Sequence, residues 1–198
     1  MALAYAGIRC EIREVDLNNP PEEMTVISPS ARVPLLILPD GSVIGESMKI
    51  MRWALAQSDP DHWWPDNVIR RQSIRNLLET SNGSFSTALF YYAFHSNYPR
   101  RSKEEYRMEG EVFMVELEAR LSVSSHLVGD HITLADVAIF PFIYNFARVD
   151  QYWFNSCPYP NLRTWMNEFM ATTLFRQAME KHPVWRPQNH PVYLQATA

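Results

Sequence analysis

The sequence predicts a small α/β unit followed by an all-α unit. Between residues 10 and 45, short apolar stretches alternate with polar residues and are separated by proline, aspartate and glycine, the pattern of strands and turns. From residue 67 onward the apolar residues recur at helical spacing instead. Residues 58–66, with Pro60 and Pro65 among Ser58, Asp59, Asp61 and Asp66, interrupt both patterns and mark the junction.

The front unit opens on Met1-Ala2-Leu3-Ala4-Tyr5-Ala6, helix formers that stop at Gly7, as at a helix C-terminus. Residues 10–17 alternate roughly with period two and read as a strand with one wet face, closed by Asn18-Asn19-Pro20-Pro21. A short helical or irregular piece covers residues 22–27. Residues 33–38 read as a strand led by Pro34, where a missing N–H does least harm. Pro39-Asp40-Gly41-Ser42 is a turn signal, and residues 43–45 return as the second strand of an antiparallel hairpin. Ser47 then opens a helix through Ala56, with Ile50, Met51, Ala54 and Leu55 on one face.

Behind the junction, a long helix is expected over residues 67–98, ending at Pro99, and another over 103–121. A third starts at Thr133, and others cover 161–170 and 174–180. Trp53, Trp165 and Trp185 are assigned to the core. The tail, residues 183–198, carries three prolines and is expected to lie irregularly over the surface.

With 198 residues, 46% of them hydrophobic, the chain can bury a substantial core. Its net charge of −4 offers no whole-chain attraction to phosphate backbones or anionic membranes, so neither nucleic acid nor membrane is an expected partner. No run approaches the roughly 20 apolar residues of a membrane span, and the first six residues lack the charged front of a signal peptide. The expected address is the cytoplasm. Cys10 and Cys157 are far apart and in no C-x-x-C pair, so both read as reduced and structural. The six histidines are scattered, and His126 and His131 miss the i, i+4 spacing of a helical metal pair, so no metal is expected.

Two short motifs carry the chemistry, and each has a plain alternative. Val33-Pro34 at a strand start is a candidate for a cis bond that turns the Val33 backbone outward, where it could pair with an extended peptide. The plain alternative is a trans proline blunting a strand end. Glu46-Ser47 stands at a helix start, where free N–H groups and the Ser47 hydroxyl suit a carboxylate while Glu46 takes an ammonium. The alternative is that Ser47 is an N-cap and Glu46 a favourable charge on the helix dipole. A third motif, Ile132-Thr133-Leu134-Ala135-Asp136-Val137, reads as a capping-box variant with Ile132 and Val137 as a hydrophobic staple, a structural role.

The order of these parts resembles the glutathione transferase superfamily, over nearly the whole chain. The residues that carry the likeness are Ser28-Pro29, Arg32-Val33-Pro34-Leu35-Leu36, Pro39-Asp40-Gly41, Glu46-Ser47-Met48-Lys49-Ile50-Met51 and the Thr133 motif. The resemblance implies a thioredoxin-like glutathione-binding domain over residues 1–57, a linker over 58–66 and a helical domain over 67–198. It implies that Val33 binds the glutathione cysteine backbone, that Pro34 is cis, that Glu46 and Ser47 hold the γ-glutamyl end and that Arg32 meets the glycine carboxylate. A homodimer is implied as well. The likeness is strongest to a bacterial branch with a Cys-Pro-Tyr-type motif on an N-terminal strand and loop, which residues 1–198 do not contain, so the front domain reads as truncated and no residue is assigned as catalytic.

In that family the first strand lies between the second and third. Three outcomes are therefore expected for the strand at residues 10–17: direct pairing with residues 33–38, exchange with a neighbouring chain, or completion by upstream residues. Tyr5 reads as a packing residue. The aromatic run Phe85, Phe90-Tyr91-Tyr92, Phe94, His95 and Tyr98 reads as helical core or dimer contact, or, by the resemblance, as a pocket for an apolar electrophile. The functions in view are glutathione conjugation or glutathione-dependent thiol transfer in the complete protein, and alternatively a non-catalytic binding or scaffolding module.

Overall fold

Both strand runs of the front unit are shorter than their alternation suggests, because each pairs along only two or three residues. A computed structural model describes residues 1–29 and 32–194, and in it the chain forms two compact units. One is Met1–Asp61 with the segment that begins at Thr173; the other is His62–Thr172. The sequence reading places everything after residue 67 with the helical domain, whereas the segment from Thr173 gathers with the front unit.

The first unit holds α1 (Ala2–Tyr5), β1 (Glu11–Ile12), α2 (Glu22–Ile27), β2 (Leu35–Ile37), β3 (Val43–Gly45) and α3 (Ser47–Gln57). Gly7, at φ +71°, turns the chain out of α1. The β2–β3 hairpin is closed by Asp40, whose Oδ1 accepts from the Ser42 N–H at 2.9 Å and the Ser42 hydroxyl at 2.7 Å. Those two donors hold the Asp40 carboxyl below its ordinary range. Gly41 supplies the positive φ, +83°, that the turn requires. Tyr5 does more than pack: its hydroxyl donates to Asp59 Oδ1 at 3.1 Å and accepts from the Asp61 N–H at 2.7 Å.

β1 does not pair with β2. Its partner is β4 (Val192–Tyr193), antiparallel, with Glu11 opposite Tyr193 and Ile12 opposite Val192. The tail expected to be irregular is therefore partly a strand, and its last four residues lie outside the described ones. The Leu194 N–H donates to the Cys10 carbonyl and the Trp185 N–H to the Glu14 carbonyl, at 2.9 and 2.8 Å. Cys10 and Glu14 are four residues apart, so an extended chain turns both carbonyls to one edge. Two cationic side chains brace this contact, Arg9 over the Tyr193 ring at 4.1 Å and Arg13 over Trp185 at 4.5 Å. Trp185 is thus half-buried rather than core, and so is Trp53; Trp165 and Trp63 are the buried indoles.

The second unit is helical: α4 (Val68–Thr80), α5 (Ser86–Ala93), α6 (Lys103–Leu121), α7 (Leu134–Val149), α8 (Gln151–Ser156) and α9 (Pro160–Met170). α10 (Thr173–Ala178) belongs to the first unit. The single long helix expected over residues 67–98 is interrupted by a π-turn at Ser81–Phe85 and ends at Ala93. Ser81-Asn82-Gly83-Ser84 is a run of poor helix formers, which explains why the wider turn forms there. α6 starts where a full capping box forms: Glu105 N–H donates to Ser102 Oγ, and Glu105 Oε2 accepts from the Ser102 N–H.

Its core is aromatic. Phe146 stacks on Phe85 with centroids 5.4 Å apart and lies 4.8 Å from Tyr92, while Phe140 stacks on Phe169 at 4.3 Å. Burying each such ring stabilises by about 1.5–3 kcal/mol. In the first turn of α7, the fully buried Asp136 carboxylate accepts from the Thr133 N–H and hydroxyl, the Leu127 N–H and the Trp165 indole N–H, all at 2.9–3.0 Å. Four donors offset the cost of burying the group, so the Thr133 motif ties a loop and a second helix to the start of α7.

Candidate functional site

The hairpin register brings the two motifs of the front unit together. Leu35 lies opposite Gly45, and the ladder stops there. The next two residues on the first strand are Pro34 and Val33, and on the second Glu46 and Ser47, so the four occupy the open end of one ladder. Leu38 donates to the Ser42 carbonyl at 2.8 Å, which assigns the even-numbered residues of β2 to the β3 side. Val33, Leu35 and Ile37 therefore turn their N–H and C=O groups to the opposite edge, where β2 has no strand partner among the described residues. The Val33–Pro34 bond is cis. Val33 is 49% exposed, and Arg32 beside it is also exposed.

At the start of α3 the structure differs from the alternative in which Ser47 is the N-cap. Glu46 holds that position and Ser47 is the first helical residue, with its hydroxyl exposed. Glu46 adopts φ +69° and ψ +131°, a backbone region that favours glycine and costs a non-glycine residue about 1–3 kcal/mol. Its carbonyl accepts the Ile50 N–H at 3.1 Å, and the N–H groups of the first turn, Ser47 through Lys49, have no acceptor within the helix. The Glu46 carboxylate meets the Lys49 ammonium at 2.8 Å, both well exposed. That contact was readable from the i, i+3 spacing; the backbone strain at Glu46 was not.

Burial pushes the Cys10 thiol above its ordinary value, and Cys157 is buried with its Sγ–H on the Phe154 carbonyl and Arg163 Nη1 at 3.6 Å from its sulfur. No group of three or more metal-ligating side chains occurs among the described residues. No helix there is long and apolar enough to cross a membrane.

The aromatic run in the second unit splits in two. Phe85 and Tyr92 point into the core, whereas Phe90, Phe94 and Tyr98 are 37–50% exposed and form their own cluster. Tyr91 joins it at 5.0 Å from Tyr98 and stacks on Tyr106. His95 turns back through Nδ1 to the Tyr92 carbonyl at 3.2 Å.

A family model described as Glutathione S-transferase, N-terminal domain, matches residues 1–57, and one described as Glutathione S-transferase, C-terminal domain, matches residues 113–168. Among curated proteins the chain is similar to Glutathione S-transferase GstB of Escherichia coli K12, with 27% identity over 176 residues, covering 84% of this chain and 82% of that one. It is also similar to a probable maleylacetoacetate isomerase of Caenorhabditis elegans, with 27% identity over 180 residues, covering 86% and 81%. Its fold matches a glutathione S-transferase of Methylobacillus flagellatus KT solved with glutathione bound, at TM-score 0.74 and 20% identity, covering 88% of this chain and 89% of that one. The chain belongs to the glutathione transferase superfamily, with a small thioredoxin-like α/β unit and a helical unit.

Proposed function

We propose that this chain binds glutathione at the open end of the β2–β3 ladder. The Val33 backbone pairs with the cysteine residue of the tripeptide by strand addition. The first-turn N–H groups and hydroxyl of Ser47 hold the γ-glutamyl carboxylate, Glu46 takes its ammonium, and Arg32 meets the glycine carboxylate. The observation that carries this reading is the register, which sets an unpaired backbone edge at Val33 beside a helix N-terminus at Ser47. The glutathione bound in the Methylobacillus relative supports the choice of ligand.

Its activity is glutathione conjugation to an apolar electrophile or glutathione-dependent thiol transfer, in a cytoplasmic homodimer. No nucleophile is assigned within these residues: burial raises the Cys10 thiol, and Cys157 is buried. That same observation favours a second reading, a glutathione-transferase-like module that binds or scaffolds without catalysis.

Calorimetric titration with glutathione tests the first step. A saturable heat that Glu46→Gln and Ser47→Ala each weaken about tenfold, equal to about 1.4 kcal/mol, is expected. Absence of any heat sinks the ligand assignment. Binding without turnover of either an electrophile or a mixed disulfide selects the non-catalytic module.

A further inference from the structure

The segment after Leu174 closes the front unit without entering its core. Leu174 is buried, and none of residues 175–194 is. Residues 184–194 nevertheless supply the strand pairing of β1: Val192 and Tyr193 lie opposite it, Val184 bridges Glu14, and the Leu194 and Trp185 N–H groups reach the Cys10 and Glu14 carbonyls. A contact made of main-chain bonds and partly exposed side chains exposes little apolar area when it opens. It therefore detaches at lower cost than the α1–α3 packing, which buries Ala2, Ala4, Ile50, Ala54 and Leu55.

The side chains define which segment fits this edge. Arg9, Glu11 and Arg13 alternate along the chain and share one face. Arg9 lies 4.1 Å from the Tyr193 ring centroid, and Arg13 lies 4.5 Å from that of Trp185 while it pairs with Glu11 at 2.8 Å. The edge thus takes an extended segment with one aromatic ring opposite Glu11 and another where the chain meets Glu14, a description that the tail satisfies. Residues 180–183 join α10 to the Glu14 bridge with no regular secondary structure and no buried side chain, and they form a natural hinge.

We propose that residues 184–194 are an exchangeable strap: they leave the β1 edge while the rest of the chain stays folded, and the vacated edge takes the same segment of a second copy. The contacts are the same in both arrangements. Only the hinge and the effective concentration of the tethered tail, on the order of millimolar, separate them. Tyr193 and Trp185 are what make the second copy the fitting occupant, because they bring the rings that Arg9 and Arg13 receive. No ligand takes part, so the exchange stands independently of the glutathione assignment.

Mixing two single-site proteins tests it. Residues 11 and 193 face each other in a ladder pair that exchanges no hydrogen bonds, where Cα atoms lie about 4.5 Å apart, within disulfide reach. Glu11→Cys and Tyr193→Cys chains, both carrying Cys10→Ser, are mixed without denaturant and oxidised, and a heterodimer linked from 11 to 193 is expected, its yield rising with protein concentration. Amide exchange of the parent chain is the second readout: the Trp185 and Leu194 amides should exchange at least about tenfold faster than those of α3. Arg13→Gln should quicken Trp185 by about a further 2- to 5-fold, the worth of one cation–π contact. The proposal is overturned if the Glu11→Cys/Tyr193→Cys double variant links within one chain while the mixture yields no heterodimer, or if neither links. It is equally overturned if the Trp185 and Leu194 amides exchange together with those of α3.

Discussion

Gly110 of α6 lies directly against the ring of Phe146 on α7: a Cβ added at Gly110 would stand 2.8 Å from Cζ of that ring and nearer still to Cε2. The ring has no room to yield, because Phe85 stacks on it at 5.4 Å and Tyr92 lies 4.8 Å away. Gly110→Ala is therefore expected to destabilise by about 1–3 kcal/mol through overpacking, despite the roughly 1 kcal/mol that alanine gains over glycine in a helix interior. Urea unfolding measures it, and an unchanged or raised midpoint would show that α6 and α7 can separate freely.

Tyr92 is fully buried and its hydroxyl has no hydrogen-bond partner among the described residues. Burial, with Asp150 adding to it, pushes its ionisation up to about 12. Removing a buried hydroxyl that bonds to nothing gives up no interaction, so Tyr92→Phe should be neutral or stabilising by up to about 1 kcal/mol. A thermal melt that falls by several degrees would reveal a partner for that oxygen.

Asp150 caps α8, accepting the Trp153 N–H at 3.0 Å, and pairs with Lys103 at 3.3 Å. The backbone bond first, and Lys103 after it, hold its carboxyl below the ordinary aspartate range. Because the folded value is depressed, the stabilisation is complete above the unfolded value of about 3.9 and is lost as pH falls through the lower folded value. Asp150→Ala should cost about 1 kcal/mol at pH 7 and progressively less as the solution is acidified below about pH 4. Denaturant midpoints of both proteins across that window test the sign.

Glu46 separates stability from binding. Glu46→Gly relieves the positive φ and should stabilise by about 1 kcal/mol, whereas Glu46→Gln keeps the strain. Both remove the carboxylate and should weaken glutathione alike. If Glu46→Gly is less stable than the parent, the backbone at that position is not strained.

Much of this was legible in the sequence where the cause is local. Asp40-Gly41 dictates a tight turn, and Ser102 with Glu105 three residues on dictates a helix start, so the hairpin and α6 fall where residues 33–45 and 103–121 suggest. The π-turn was written in Ser81-Asn82-Gly83-Ser84, but a run of weak helix formers reads equally as a tolerated stretch within a longer helix. The pairing of β1 with β4 had no local sign: the partner is distant, and residues 183–194 show no alternation. The candidate site divides the same way. Val33, Pro34, Glu46 and Ser47 stand out as residue types, whereas their meeting at one ladder end depends on register.

The joining of β1 to residues 192–194 also sets an order of events during synthesis. Residues 62–172 form one continuous unit and can fold as soon as they clear the ribosome. The front unit, although translated before the helical one, waits with the edge of β1 unpaired until residue 194 has emerged. Residues 10–14 are thus made before the helical unit and secured after it, and a nascent chain stalled short of β4 exposes that edge to chaperones and to other chains.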